Sequence, residues 1–329
     1  MKYKESRQIF KEIKGAGKIV INCHRGPDPD SVGSALALYQ VLQSLDKEVE
    51  VICPDNLLDS YRFLRFSEKV KRINFEKFDF SSFDLFIVLD SADWGMVTGN
   101  ISISQPDIKT IVIDHHRTNR GFGKINLIDS KASSTAEVLY LLFEDWEVKI
   151  TEDIASALLA GIIGDTGVFQ FPGASVRTLA IAKDLMEKGA DKNEIIFNIY
   201  NSLDFNLIKF WGEILLRMEK DEKERFVWSA IPLKVYDEFS RPESAKETAA
   251  TMFSRVVKDT DFGMIIIEKK EKTTAVSLRS RTDFDVSKIA VALGGGGHKL
   301  AAAAEIEGLK FDKAVDKILK TARKIIDEG

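Results

Sequence analysis

Five short apolar runs recur in the first half of the chain: Lys18–Asn22, Glu48–Cys53, Asp84–Leu89, Thr110–Ile113 and a shorter Lys124–Ile128. Each is too short for a helix, and as a set they are near-continuous apolar runs. Such runs fit parallel strands covered on both sides. Between them lie helical patterns at Val32–Leu45, Ser134–Asp145, Glu152–Ile163 and Val176–Lys188. This alternation predicts an α/β fold with a doubly wound, mostly parallel sheet. Ser134-Thr-Ala-Glu137 fits a capping box at a helix start, and its serines are also candidates to face a ligand. Gly189 has the position of a helix-ending glycine.

At 329 residues the chain accommodates two domains. We expect a catalytic α/β domain over residues 1–190, a helical connector over 191–222 and a smaller α/β domain over 223–329. The second domain is expected to run strand (Arg225–Ala230), helix (Ala245–Val257), two strands (Gly263–Glu268, Thr273–Leu278), helix (Val286–Leu293), a glycine run and a last helix (Phe311–Ile326). The net charge is −4, so nothing draws nucleic acid to the molecule as a whole, and a phosphate-bearing substrate must be attracted locally. Met1–Lys14 is charged and lacks the apolar core of a signal peptide, and no apolar run reaches membrane-spanning length. Cys23 and Cys53 do not form a disulfide framework. The expected setting is a reduced cytoplasm, with no membrane partner.

Polar residues collect where the apolar runs end. His24, Asp28 and Asp30 follow the first run, within "HRGPDPDSVGS". Asp90 ends the third run, Asp114-His115-His116 the fourth, and Asp165 a helix. In an open parallel sheet the carboxyl ends of the strands converge on one crevice. Unpaired carboxylates there are costly, and the nearby Arg25 and Arg117 are too few to neutralise them. Four carboxylates (Asp28, Asp30, Asp90, Asp165) balance two divalent cations. Two imidazoles, His24 and one of the His115-His116 pair, complete a mixed set that suits Mn²⁺ better than Ca²⁺ or a zinc site rich in cysteine. So many ligands point to two ions about 3.5–4 Å apart, with Asp90 as the best bridge between them. Gly33 and Ser34, small residues, are expected where the helix packs on the sheet. Trp94, Phe169 and Phe171 offer stacking faces, although core packing is the expected role of the phenylalanines.

"HRGPDPDSVGS", "VLDSAD", "VIDHH" and "GIIGDTGVF" resemble, in order, the four motifs of the DHH phosphoesterase superfamily. "GGGGHKLAAAA" resembles the glycine-histidine motif of the accompanying DHHA1 domain. The resemblance spans nearly the whole chain, and its two-domain length is similar to the stand-alone oligoribonuclease (nanoRNase) and 3′-phosphoadenosine-5′-phosphate phosphatase subfamily. It implies that His24, Asp28 and Asp90 hold one Mn²⁺ and that Asp30, Asp90, His115 and Asp165 hold the other, with Mg²⁺ or Co²⁺ as alternatives. It implies that Asp114 orients an imidazole and that His116 touches the scissile phosphate, so that Asp90, Asp114 and His116 carry catalysis. Arg279, Gly295, Gly296, Gly297 and His298 are implied to hold the substrate's terminal phosphate or nucleotide. Two positions depart from the family pattern: Pro29 stands between two aspartates where glycine is common, and Ala304 ends the alanine run.

The implied activity is two-metal-activated attack of water on phosphorus. It would degrade very short oligoribonucleotides to mononucleotides and remove phosphate from 3′-phosphoadenosine-5′-phosphate. The partners are then short RNA or a nucleoside bisphosphate, not long duplex DNA, and a homodimer is compatible with the sequence. The competing enzyme reading is a cyclic-dinucleotide or linear dinucleotide (pApA-type) phosphodiesterase. A nucleotide-binding module without catalysis is the non-enzyme reading, disfavoured because the first turn carries carboxylates in place of G-x-G-x-x-G.

Overall fold

The computed structural model describes residues 3–242 and 245–328 and divides into two compact units, residues 1–202 and 203–329. The first contains α1 (Ser6–Gly15), β1 (Lys18–Asn22), α2 (Pro29–Ser44), β2 (Glu48–Cys53), β3 (Val70–Arg72), β4 (Leu85–Leu89), α3 (Trp94–Thr98), β5 (Thr110–Asp114), β6 (Ile125–Ile128), α4 (Thr135–Asp145), α5 (Glu152–Asp165), α6 (Val176–Glu187) and α7 (Lys192–Tyr200). Its six strands are all parallel, in the order β3-β2-β1-β4-β5-β6. The expected apolar runs are strands to within a residue or so. The three-residue β3 and the five-residue α3 are additions, too short to show a period in the sequence.

The strands bury both faces by strict alternation. Ile19, Ile21, Leu85, Ile87, Leu89, Ile111 and Ile113 join one core with α1, α2, α4, α5 and α6. Val20, Phe86, Val88 and Val112 face the other way. That second face is covered largely by aromatic side chains, Phe75, Phe83 and Trp94 among them, rather than by long helices. Trp94 packs edge-on against Phe75 and Phe86 and donates its Nε1–H to Ile103 O, so it is a core residue and not a stacking platform.

Helix α2 starts three residues before the expected boundary. Asp28 caps it, accepting from the Ser31 N–H at 2.9 Å, and Pro29 opens the first turn. Gly33 does allow a close approach, but to α5 rather than to the sheet: a Cβ there would lie 2.3 Å from Ala157 O. At the same crossing, a Cβ on Gly161 would lie 2.6 Å from Asp30 Oδ1 and 2.7 Å from the Ala136 Cβ. Small residues thus let α2, α4 and α5 meet around Asp30. The capping box is only half formed. Ser134 accepts from the Glu137 N–H, but the buried Glu137 carboxylate binds Ser133, Thr178 and Arg177 instead.

The second unit contains α8 (Phe205–Leu216), β7 (Glu219–Asp221), β8 (Phe226–Ile231), α9 (Leu233–Glu238), α10 (Ala245–Phe253), β9 (Phe262–Lys270), β10 (Thr273–Ser280), α11 (Ser287–Ala292), β11 (Gly296–His298), β12 (Ala301–Glu307) and α12 (Phe311–Asp327). The sheet order is β11-β12-β10-β9-β8-β7, mixed because β8 and β9 are parallel and the other pairs antiparallel. The expected connector divides between the units, α7 falling in the first and α8 in the second. Residues 243 and 244 precede α10 and lie outside the described residues.

Adding a Cβ at Gly33 drives it into the α5 backbone, whereas Gly212, inside α8, has nothing within 4 Å of a Cβ built on it. Gly33→Ala should therefore cost about 1–3 kcal/mol by urea denaturation. Gly212→Ala should gain about 0.5–1 kcal/mol by improving helix propensity.

Candidate metal centre

The carboxyl ends of β1, β4 and β5 deliver His24, Asp90 and Asp114 to one rim of the first unit. Asp28 and Asp30 arrive at the start of α2 and Asp165 at the end of α5. His24 Nε2 lies 3.5 Å from both Asp28 Oδ2 and Asp90 Oδ2. His115 Nε2 lies 3.0 Å from Asp165 Oδ2 and 3.6 Å from Asp90 Oδ1. Three overlapping groups emerge that could each hold a metal ion: His24, Asp28 and Asp90; Asp90, His115 and His116; and Asp30, His115 and Asp165. Asp90 belongs to two of them, as does His115. Asp90 also sits at φ +50°, a left-handed conformation uncommon for a residue other than glycine, just where β4 ends.

Asp30 is fully buried. Its Oδ2 accepts from the Thr135 N–H at 2.6 Å, and its Oδ1 from the Ala136 N–H at 2.9 Å. These donors belong to the first turn of α4, whose N-terminus favours negative charge. The Thr135 hydroxyl donates to Asp90 Oδ1 at 3.0 Å. One residue therefore fixes two of the six candidate ligands. The sequence pointed to the wrong neighbours here: Ser134 caps the helix and Ser133 binds Glu137, while Thr135 faces the site.

His116 Nδ1 is 2.7 Å from Asp114 Oδ1, so this nitrogen carries the proton and Nε2 is left for another partner. Asp114 is completely buried, and its other oxygen accepts from Asn119 Nδ2 at 2.7 Å. The Asn119 amide also donates to the Ser91 carbonyl, tying the turn after β5 to the turn after β4. Asn119 was not singled out in the sequence, since "RTNRG" reads as an ordinary loop. The His24 ring is held at its other nitrogen, 2.8 Å from the Arg25 carbonyl oxygen.

The electrostatics show what this arrangement lacks. Burial pushes the Asp30 carboxyl well above the usual carboxylate range, and the charges of Asp90 and Asp165 push it further. Burial likewise raises Asp165. Burial alone would lower the three imidazoles, but facing carboxylates outweigh it and raise them: Asp28 and Asp90 for His24, Asp165 for His115, Asp114 and Asp90 for His116. In the bare protein, then, protons partly offset the crowded negative charge. His115 Nε2 is buried and makes no hydrogen bond of acceptable geometry, although a carboxylate lies within 3.0 Å. An orphaned ring nitrogen among carboxylate oxygens fits a divalent cation.

In the second unit, register places Arg279 on β10, Ala301 on β12 and His298 on β11 in one cross-strand row. Directly opposed residues share a face, so Arg279 and His298 flank the small Ala301. Arg279 is braced by its Nε–H to Thr251 Oγ1 at 3.2 Å. The glycine run is part of an edge strand rather than a free loop. Gly295 and Gly297 have a packing reason: a Cβ would lie 2.2 Å from Ala303 O at the first and 2.5 Å from Ala302 Cα at the second. Gly296 has open space where its side chain would be, which leaves its backbone accessible to a ligand.

Residues 18–162 match the family described as "DHH family, N-terminal domain", and residues 236–328 match the "DHHA1 domain". The chain belongs to the DHH/DHHA1 phosphoesterases and is a metal-dependent phosphoesterase, hence a hydrolase. It is 29% identical to the bifunctional oligoribonuclease and PAP phosphatase NrnA of Thermus thermophilus, with 98% of this chain and 95% of that protein covered. It is 26% identical to the cyclic-di-AMP phosphodiesterase GdpP of Bacillus subtilis, over 95% of this chain but 48% of that protein. Among solved structures, an exopolyphosphatase-related protein from Bacteroides fragilis has the same fold, with a TM-score of 0.90, 24% identity, and 98% and 96% of the two chains covered.

If Thr135 fixes Asp30 and Asp90, Thr135→Val should keep the fold and the N–H to Asp30 while losing the hydroxyl to Asp90. We expect Mn²⁺ affinity by titration calorimetry to fall about tenfold, with the unfolding midpoint of the metal-free protein nearly unchanged.

Proposed function

We propose that this chain is a Mn²⁺-dependent phosphohydrolase that degrades very short oligoribonucleotides to mononucleotides and removes phosphate from 3′-phosphoadenosine-5′-phosphate. The observation that carries the reading is the overlap of three His/Asp groups through Asp90 and His115, in a chain similar over nearly its full length to an oligoribonuclease and PAP phosphatase. His24, Asp28 and Asp90 would hold one ion, and Asp30, Asp90, His115 and Asp165 would hold the other. Mg²⁺ and Co²⁺ are the alternative ions.

A pair of divalent cations bound there supplies Lewis-acid charge at the scissile phosphate. The protein's own residues do the rest. Asp114 keeps the His116 Nδ1 proton in place and raises the ring's basicity, so that Nε2–H donates to a phosphoryl oxygen as negative charge builds up on it. Asn119 and Thr135 keep Asp114 and Asp90 from rotating. In the second unit Arg279, the Gly295–Gly297 backbone and His298 hold the substrate's terminal phosphate or nucleotide. The second reading, a cyclic or linear dinucleotide phosphodiesterase, is favoured by the similarity to GdpP. The cytoplasmic setting is supported by two free, buried cysteines, Cys23 and Cys53. Among the described residues no helix is long and apolar enough to cross a membrane.

The deciding experiment incubates the protein with Mn²⁺ and an RNA ladder running from dinucleotides to long oligomers. Parallel reactions contain 3′-phosphoadenosine-5′-phosphate, a cyclic dinucleotide or pyrophosphate. We expect turnover confined to the shortest RNAs and the bisphosphate, and lost by several orders of magnitude in Asp90→Ala. Preference for the cyclic dinucleotide or pyrophosphate overturns the substrate assignment, and activity surviving in Asp90→Ala overturns the site.

The three imidazoles and the Asp30 and Asp165 carboxyls are all shifted towards their protonated forms, so protons compete with a cation for these atoms. The sign follows: Mn²⁺ binding should release protons, and its affinity should rise with pH through and above the ordinary imidazole value of about 6.5. Calorimetry in two buffers of different ionisation enthalpy measures this release directly.

A further inference from the structure

Glu137, the third residue of α4, is fully buried, and its carboxylate belongs to none of the three candidate metal groups. Four donors converge on it. Oε2 accepts from the Ser133 hydroxyl at 2.6 Å, the Ser133 N–H at 3.3 Å and the Thr178 hydroxyl at 2.7 Å. Oε1 accepts from the Arg177 Nε–H. The Arg177 side chain is 29% exposed, so the ion pair runs from the interior of the first unit to its surface. Its Nη2 also lies 3.5 Å from Asp129 Oδ2, which accepts from the Tyr3 hydroxyl at 2.8 Å.

Stability alone does not explain such a set. A buried ion pair gains little over apolar packing of the same volume, but it leaves its members very few positions in which they are paired. What this pair holds in place is the turn of residues 129–134. The turn starts at Asp129, whose N–H is bonded to the Asp114 carbonyl at 3.0 Å and whose Oδ1 accepts from the Lys131 N–H at 3.0 Å. It ends at Ser133, held by Glu137, and at Ser134, the cap of α4. The next two residues, Thr135 and Ala136, supply both N–H groups on Asp30 and the hydroxyl on Asp90. The start of α4 is thus held on two sides, in front by Asp30 and behind by Glu137. Asp30 and Asp90 repel each other, so donors shared between them keep their spacing only if the donors themselves are immobile.

We infer that Arg177 is a positioning residue for the metal centre: through Glu137 and Ser133 it fixes the first turn of α4, and with it the spacing of Asp30 and Asp90. It does so from α6, where its partners Glu137 and Asp129 are not ligands. This role rests on the reading of Asp30 and Asp90 as metal ligands given above. The ion pair then serves geometry, which is separable from stability.

The test compares Arg177→Met, Arg177→Lys and Leu185→Ala with the parent protein. Methionine loses every donor, lysine keeps the charge but not the fork, and Leu185→Ala truncates a fully buried apolar side chain on the same helix. By titration calorimetry, Mn²⁺ affinity should fall about tenfold in Arg177→Met and about threefold in Arg177→Lys, and stay at the parent's value in Leu185→Ala. No fall in Arg177→Met, or an equal fall in Leu185→Ala, overturns the inference. Should Arg177→Met not fold, Arg177→Lys carries the measurement, and an affinity equal to the parent's overturns it. A second readout needs no metal. In amide hydrogen exchange of the metal-free protein, the segment 133–138 should exchange about tenfold faster in Arg177→Met, with β1 and β4 unchanged. An unchanged rate at 133–138, or the same acceleration throughout the first unit, also overturns it. If the parent protein binds no Mn²⁺, the ligand assignment fails, and the exchange rates still decide whether Arg177 holds the turn.

Discussion

A fully buried carboxylate, Asp30, sits where three helices meet, and much of the first unit serves to keep it there. Its oxygens take two backbone N–H bonds from the first turn of α4. Those donors are otherwise unpaired at a helix start, so the carboxylate satisfies the helix while the helix holds the carboxylate. The contact requires α2, α4 and α5 to approach more closely than ordinary side chains allow. Gly161 leaves room for Asp30 and Ala136, and Gly33 leaves room for the Ala157 carbonyl. Two N–H bonds do not fully offset burial beside Asp90 and Asp165, and the Asp30 carboxyl remains raised. The packing is thus complete in shape and incomplete in charge, and positive charge brought by a cation removes the deficit.

Much of this was legible in the sequence, for a physical reason. A parallel sheet buried on both faces writes itself as continuous apolar runs, and its carboxyl ends gather in one place, so Asp90, Asp114, His115 and His116 announce themselves as charged residues closing apolar strands. All six candidate ligands are drawn into overlapping groups by the fold. What stayed hidden were residues whose roles depend on distant partners. Thr135 and Asn119 are residue types common at caps and in turns, and nothing local distinguishes a threonine that bonds Asp90 from one that merely starts a helix. Glu137 shows the reverse error. Its spacing from Ser134 predicted a local bond, but the carboxylate is held by Arg177, 40 residues away, which Asp129 also contacts. The short β3 and α3 contain too few residues to establish a period.

The second unit solves a related problem with different material. An anion can be held by side chains, which bring charge, or by backbone N–H groups, which need the chain to come close. β11 belongs to the second kind. It is exposed, three residues long and built on glycine, which makes it a poor strand by propensity and leaves it dependent on its neighbour. That neighbour is an alanine run, and the two match for steric reasons: Gly295 and Gly297 press on the backbone and methyls of Ala302, Ala303 and Ala304 at distances that forbid a Cβ. The glycines are therefore explained in part by packing, and the role of Gly296 is separable from theirs. The same pairing brings His298 level with Arg279 across Ala301. A larger residue at 301 would fill the space between imidazole and guanidinium; a methyl keeps it open. The low-complexity stretch "GGGGHKLAAAA" is thus one structural statement, a thin sheet edge that places an imidazole and a guanidinium on a common face with little between them.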